Sequence, residues 1–111
     1  MIKPGDIVLV PFPFTDLTNH KIRPALVLAS IGQDIILAAI SSQLHHKSWP
    51  SDHDIIDTDP DFTATGLKIN SRIHLSKLVT VESKIVICQI GVLKTKSLQK
   101  ISKKLAKLFD Y

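Results

Sequence analysis

The sequence predicts a mainly β fold: a small, strongly bent antiparallel barrel of six or so strands with one C-terminal α-helix. Three observations carry this. Short apolar segments, several rich in Val and Ile, are divided by Gly, Pro, Asn and Asp turn residues. The last segment changes period, with Leu98, Ile101, Leu105 and Leu108 at helical spacing and lysines between them. Finally, 111 residues with 44% hydrophobic and 22% charged content suit one domain with its own core, spanning 1–111 without repeat, low-complexity stretch or linker.

Taken in order, Lys3-Pro4-Gly5-Asp6 is a turn and Ile7–Val10 a buried first strand. Pro11-Phe12-Pro13-Phe14 closes it, since two prolines make a stiff extended exit. Thr15–Lys21 is a polar loop in which Asp16, Thr18 and Asn19 favour turns by bonding to nearby backbone. The second strand runs from Pro24 to Ala29, Ser30–Gln33 is a short turn, and Asp34–Ile40 returns as a hairpin partner. Ser41-Ser42-Gln43 ends that strand, and Leu44–Ser51 is a loop. A short strand is expected at Asp54–Ile56 and one helical turn within Thr58–Thr65. Ile69–Leu75 is a strand, and Leu78–Val81 and Ile85–Ile90 are two further apolar stretches, punctuated by Gly91. The helix begins near Ser97, with Thr95 or Ser97 as its cap.

Charge and cysteine content narrow the function classes. The net charge of +4 favours polyanionic partners only weakly. Six of the twelve lysines lie between Lys94 and Lys107, on the solvated face of the expected helix, and five of the ten acids lie between Asp52 and Asp61. No apolar run approaches the ~20 residues that span a membrane, and Met1–Asp6 opens no signal-peptide pattern, so a cytoplasmic location is the expectation. The single cysteine, Cys88, excludes an internal disulfide or a cysteine-cluster zinc site, and its apolar context predicts a buried, inert thiol. No metal signature is present. His45-His46 are adjacent, so they do not share a face on a strand, and they read as solvated loop residues.

The chemistry concentrates at Ile22-Arg23-Pro24-Ala25-Leu26-Val27-Leu28. Proline pushes Arg23 towards extended backbone, at the mouth of an apolar strand. A guanidinium there either ends a loop or faces a ligand, and its planar fork suits a phosphate. In an antiparallel hairpin the start of one strand lies near the end of its partner, so Arg23 and Ser41 are expected at the same rim. Arginine and hydroxyl together can bind and polarise a phosphodiester without a metal. Alternatively, Ser41 only satisfies backbone groups where its strand ends.

These residues, in this order and spacing, resemble the MazF/PemK toxins of bacterial toxin–antitoxin systems. The resemblance rests on Gly5–Val10, Arg23–Leu28, Ala38–Gln43, Gly66–Ser71, Lys77–Val81 and Ile90–Leu93, and so covers nearly the whole chain. Each motif alone is weak, while the ordered set is specific. It implies an SH3-like barrel, a homodimer, and a metal-independent endoribonuclease without cofactor that cuts single-stranded RNA at short sequences. In that mechanism the ribose 2′-hydroxyl attacks the adjacent phosphate, leaving a 2′,3′-cyclic phosphate and a 5′-hydroxyl. The arginine of the family's Arg-Pro motif maps to Arg23, which would stabilise charge on the phosphate and protonate the leaving oxygen. The family's hydroxyl residue, threonine in many relatives, maps to Ser41, which would orient the phosphate or the attacking group.

The sequence departs from the family in three places. The loop Thr15–Lys21 has no glycine, the position of the family's threonine holds serine, and the family's arginine and acid two residues apart fall, ungapped, on His74 and Ser76, with Arg72 nearby. His74 is then an acid–base candidate, because imidazole titrates near neutrality, or a partly buried strand residue. Asp16 and His20, beside Arg23, are the other candidates for the base. RNA contacts are expected from Phe14, Thr15, Lys21, Ser42, Gln43, Trp49 and Arg72, with Phe14 and Trp49 as stacking platforms or as core and interface residues. The resemblance also implies an antitoxin whose acidic, disordered tail covers the RNA groove, a partner suited to a basic toxin. Two further functions share the fold: a barrel that binds RNA or a partner without cutting, and a toxin directed at DNA gyrase.

Overall fold

Strand residues alternate between two faces, and in the middle of the sheet both faces are apolar and buried. The computed structural model describes residues 1–12, 21–45 and 47–110. Among the described residues six strands, β1 (Asp6–Phe12), β2 (Lys21–Ile31), β3 (Asp34–Ser41), β4 (His53–Ile55), β5 (Ser71–Glu82) and β6 (Cys88–Val92), precede the helix α1 (Thr95–Leu108). They pair antiparallel in the order β4-β5-β3-β2-β1-β6 and curl into a half-barrel, the mainly β architecture expected.

One face carries Ile7, Leu26, Ile40 and Ile73, and α1 covers it with Leu98, Ile101 and Leu105. The other carries Val8, Val10, Ala25, Val27, Leu37 and Ala39. The β2–β3 hairpin closes through Gly32-Gln33, with Ile31 opposite Asp34. Gly32 has φ 60°, at the first loop position where a two-residue hairpin favours glycine. The short 3-10 turn Thr63–Thr65 that follows β4 packs on β6, the opposite edge of the sheet. Gly91 permits this approach, because a side chain there would run into the backbone of Ala64 and Thr65.

Four expectations are corrected. β2 starts at Lys21, so Arg23 lies inside a strand, opposite Val10, and is not its first residue. Pro24 fits because pairing with β3 begins only at Ala25, so on that side its missing N–H costs no ladder bond. The two stretches Ile69–Leu75 and Leu78–Val81 form one strand, β5. Ala38 pairs with Leu78 and Ala39 with His74, which leaves Leu75, Ser76 and Lys77 bulged between them and bends the strand. Cys88 is exposed, because β6 is an edge strand of the sheet among the described residues. In α1 the N-cap is Lys94, with no side-chain cap bond, and Thr95 is already helical. The Leu93 N–H is held by the Gly5 carbonyl at 2.8 Å, and the helix starts immediately after it.

Candidate active site

The sheet register assembles a polar row on the face turned away from α1. Ser41 of β3 is opposite Arg72 of β5, and Arg72 is opposite Asp54 of β4. Directly opposed residues point to the same face. Arg23 and Ser41 each lie two residues beyond Ala25 and Ala39, the last β2–β3 pair, so both stand at the same end of the hairpin. The next row inward holds His74, opposite Ala39. His53 pairs with Ile73, so one step further along β4 sets Asp52 beside His74.

Arg72 and Asp54 form a fork-to-fork pair: Nε donates to Oδ1 at 2.7 Å and Nη2 to Oδ2 at 3.2 Å. Arg72 is 5% exposed, so its guanidinium is fixed in plane and direction. The hydrogen bond from Arg72 holds the Asp54 carboxyl below the usual carboxylate range, against the opposing effect of burial. The same bond raises Arg72 further above its already high value. This carboxylate therefore stays charged and directs Arg72.

Asp52 is held on three sides. The Trp49 N–H donates to its Oδ2 at 2.9 Å, its own N–H donates to the Trp49 carbonyl at 2.9 Å, and Lys104 Nζ donates to its carbonyl at 2.7 Å. Its remaining oxygen, Oδ1, is buried and lies 3.3 Å from His74 Nδ1, within ion-pair reach though outside hydrogen-bond alignment. Lys104 also lies 3.5 Å from His53 Nδ1. Burial first, then the nearby Lys104 and Lys100, lower the His53 pKa from 6.5, so His53 can accept from Lys104 as the neutral ring.

The Ser41 hydroxyl accepts the Gln43 N–H at 3.1 Å, the backbone role expected where a strand ends, and this leaves its proton to donate. Ser42 and Gln43 follow, exposed, and Lys21 is exposed at the start of β2. Trp49 is exposed, with Lys47 Nζ 4.6 Å from its ring centroid. Together with Ser76, Lys104, Lys107 and Leu108 it lines a groove of about 700 Å³. Phe14, Thr15, Asp16 and His20 lie outside the described residues.

The sequence model of the PemK-like, MazF-like toxins of type II toxin–antitoxin systems matches residues 3–109. The chain belongs to this toxin family. Among curated protein sequences none matches. Solved structures extend the likeness in fold. An endoribonuclease from Mycobacterial species, solved with its cognate antitoxin, is 13% identical with a TM-score of 0.73, covering 100% of this chain and 99% of its own. The Mycobacterium tuberculosis toxin MazF-mt6 is 16% identical with a TM-score of 0.73, covering 96% and 99%. MazF from Deinococcus radiodurans is 17% identical with a TM-score of 0.72, covering 96% and 94%.

In this MazF-like toxin the polar rows therefore contain Arg23, Ser41, Arg72 and His74 from the sequence reading, and add Asp52 and Asp54. The two aspartates stand two residues apart, as do Arg72 and His74. An Asp-x-Asp segment opposite an Arg-x-His segment on antiparallel strands pairs acid with base twice on one face. That spacing is visible in the sequence, but only the β4–β5 register gives it meaning. Among the described residues of the toxin no helix is long and apolar enough to cross a membrane.

Proposed function

We propose that this toxin is a sequence-specific, metal-independent endoribonuclease that cuts single-stranded RNA, inhibits translation and growth, and is neutralised by an antitoxin with an acidic, disordered tail. The observation that carries this reading is the sheet end where Ser41 stands opposite Arg72 and Arg23 lies two residues past the last β2–β3 pair: two guanidiniums and a hydroxyl gathered there can bind the oxygens of a single phosphate. Membership of the toxin family supports it, and so does the shared fold with an endoribonuclease solved bound to its antitoxin.

The reaction needs no external nucleophile. His74 Nε2 takes the proton of the ribose 2′-hydroxyl, O2′ bonds to phosphorus, and the P–O5′ bond breaks. The leaving O5′ takes a proton from water or from the imidazolium. The products are a 2′,3′-cyclic phosphate and a 5′-hydroxyl. Arg23 and Arg72 stabilise the charge that builds on the phosphoryl oxygens, and Ser41 donates a hydrogen bond to one of them. Lys21, Ser42 and Gln43 border the row and contact the RNA backbone, while Trp49 stacks on an unpaired base. The net charge of +4 draws in both the RNA and the acidic tail.

The test is incubation of a long single-stranded RNA with the protein in excess EDTA, followed by end-group mapping. Discrete fragments ending in cyclic phosphate are expected. Intact RNA, with binding retained, would instead make the protein a barrel that holds RNA without cutting it.

A further inference from the structure

We infer that Asp52 is a positioning residue that fixes the proton-accepting form of His74, so that the toxin works through an Asp–His pair. The inference rests on the endoribonuclease reading above. An imidazole acts as a base only through the nitrogen that lacks a proton. Which nitrogen that is depends on the hydrogen bond made by the other, and in neutral histidine nothing internal to the ring assigns it strictly.

The surroundings of His74 make that assignment. Asp52 Oδ1 lies 3.3 Å from Nδ1, so the carboxylate favours the proton on Nδ1 and leaves Nε2 with its lone pair. The Asp52 side chain is 1% exposed and that of His74 14%, so water competes little for the contact. Asp52 cannot easily turn away, because Trp49 N–H occupies its other oxygen and Lys104 holds its carbonyl from α1. A buried carboxylate oxygen with no aligned donor is costly unless a donor reaches it. A small rotation of the His74 ring aligns Nδ1–H with it, as catalytic hydrogen bonds often do when substrate binds. Arg72, in the adjacent row of β5, already has Asp54 as its partner. Asp52 adds to the negative field at Arg72, and its Oδ1 is the carboxylate oxygen within reach of His74 Nδ1.

Asp52→Asn separates this role from a structural one. The amide oxygen keeps the bond from Trp49 N–H, so the turn survives. Its NH₂ then faces Nδ1 and favours the opposite tautomer, with the proton on Nε2. The experiment is ring ¹⁵N–¹H long-range correlation spectroscopy of the full chain, labelled on histidine nitrogen, at about pH 8.5, where an ordinary imidazole is neutral. The His74 signals are assigned by their loss in His74→Gln. The wild type is expected to carry its proton on Nδ1, and Asp52→Asn to move it to Nε2. In single-turnover cutting, Asp52→Asn is expected to lose about 10²-fold in rate, with RNA binding changed less than about twofold.

A wild type with the proton on Nε2 would overturn the inference without any variant. So would an Asp52→Asn protein with an unchanged tautomer, or one that cuts at the wild-type rate. The spectra do not depend on RNA. A wild type with the Nδ1 proton that cuts no RNA would therefore sink the endoribonuclease reading and leave the Asp52–His74 pairing in place.

Discussion

Replacing Arg23 by alanine removes the guanidinium carried at the same end of the β2–β3 hairpin as Ser41. RNA cutting is expected to fall by about 10³-fold, and Ser41→Ala to cost about 10²-fold, the usual scale for removing a donor from a developing anion. Single-turnover rates on one RNA check both, and a circular dichroism spectrum identical to wild type separates chemistry from folding. Both residues were legible in the sequence, because a hairpin brings strand start and strand end together whatever its exact register. Asp52 and Asp54 were not. They are two of five acids between Asp52 and Asp61, a run that reads as a charged loop until β4 is seen to lie against Arg72 and His74. Cys88 was expected to be buried and is exposed for a related reason: an apolar run marks a strand but does not tell whether that strand lies at an edge. His53 yields a prediction of its own. Burial lowers its pKa from 6.5, so the unfolded chain binds more protons there than the folded one. Stability from this group is full above about pH 6.5 and falls as pH drops below it, until the lowered folded value is passed. Urea midpoints at about pH 7.5 and pH 5.5 should show that fall, and His53→Gln should shrink it. An equal fall in the variant would remove His53 as its source.

Among the elements, α1 covers one face of the sheet and β5 carries Arg72 and His74. Ile101 is 1% exposed at the centre of the helix–sheet contact, and Ile101→Ala should lower stability by about 2–4 kcal/mol in chemical denaturation. A loss below about 0.5 kcal/mol would mean that the helix contributes little to the core. The helix was legible from its spacing of apolar residues, and its start was missed by only a residue or two because no side chain caps it. The unity of β5 was not legible. Its bulge at Leu75-Ser76-Lys77 breaks the alternation that marks a strand, and a sequence reader sees two pieces. That bulge falls immediately after His74, so it lets β5 align the Arg72–His74 segment with β4 and β3 while its other half pairs with β3 alone. Bulges of this kind often re-aim side chains beside active sites. Deleting one bulge residue would shift the register and turn side chains to the other face.

At the scale of the whole molecule, one sheet separates two tasks. The face under α1 is a continuous core, and the opposite face carries a second core whose end opens into the polar rows. Cross-linking the two sides is Lys104, which reaches from the helix to the Asp52 carbonyl. Net positive charge suits long anionic partners, so RNA binding should weaken steeply with salt, checked by affinity at several ionic strengths. A salt-independent affinity would argue against a phosphate-reading surface. The family resemblance further leads us to expect a homodimer, which sedimentation equilibrium would detect. A protein that stays monomeric and active at high concentration would contradict that.

We propose that Arg23, Ser41 and Arg72, gathered at one end of the sheet, promote RNA cutting through the substrate's own 2′-hydroxyl. The most direct measurement compares wild type and Arg23→Ala on two versions of one short RNA, one complete and one with 2′-deoxyribose at the cleaved position, both in EDTA. Cutting of the complete RNA by wild type alone, and of the deoxy-substituted RNA by neither protein, is the predicted result. Cutting of the deoxy-substituted RNA, or full-rate cutting by Arg23→Ala, would contradict the account.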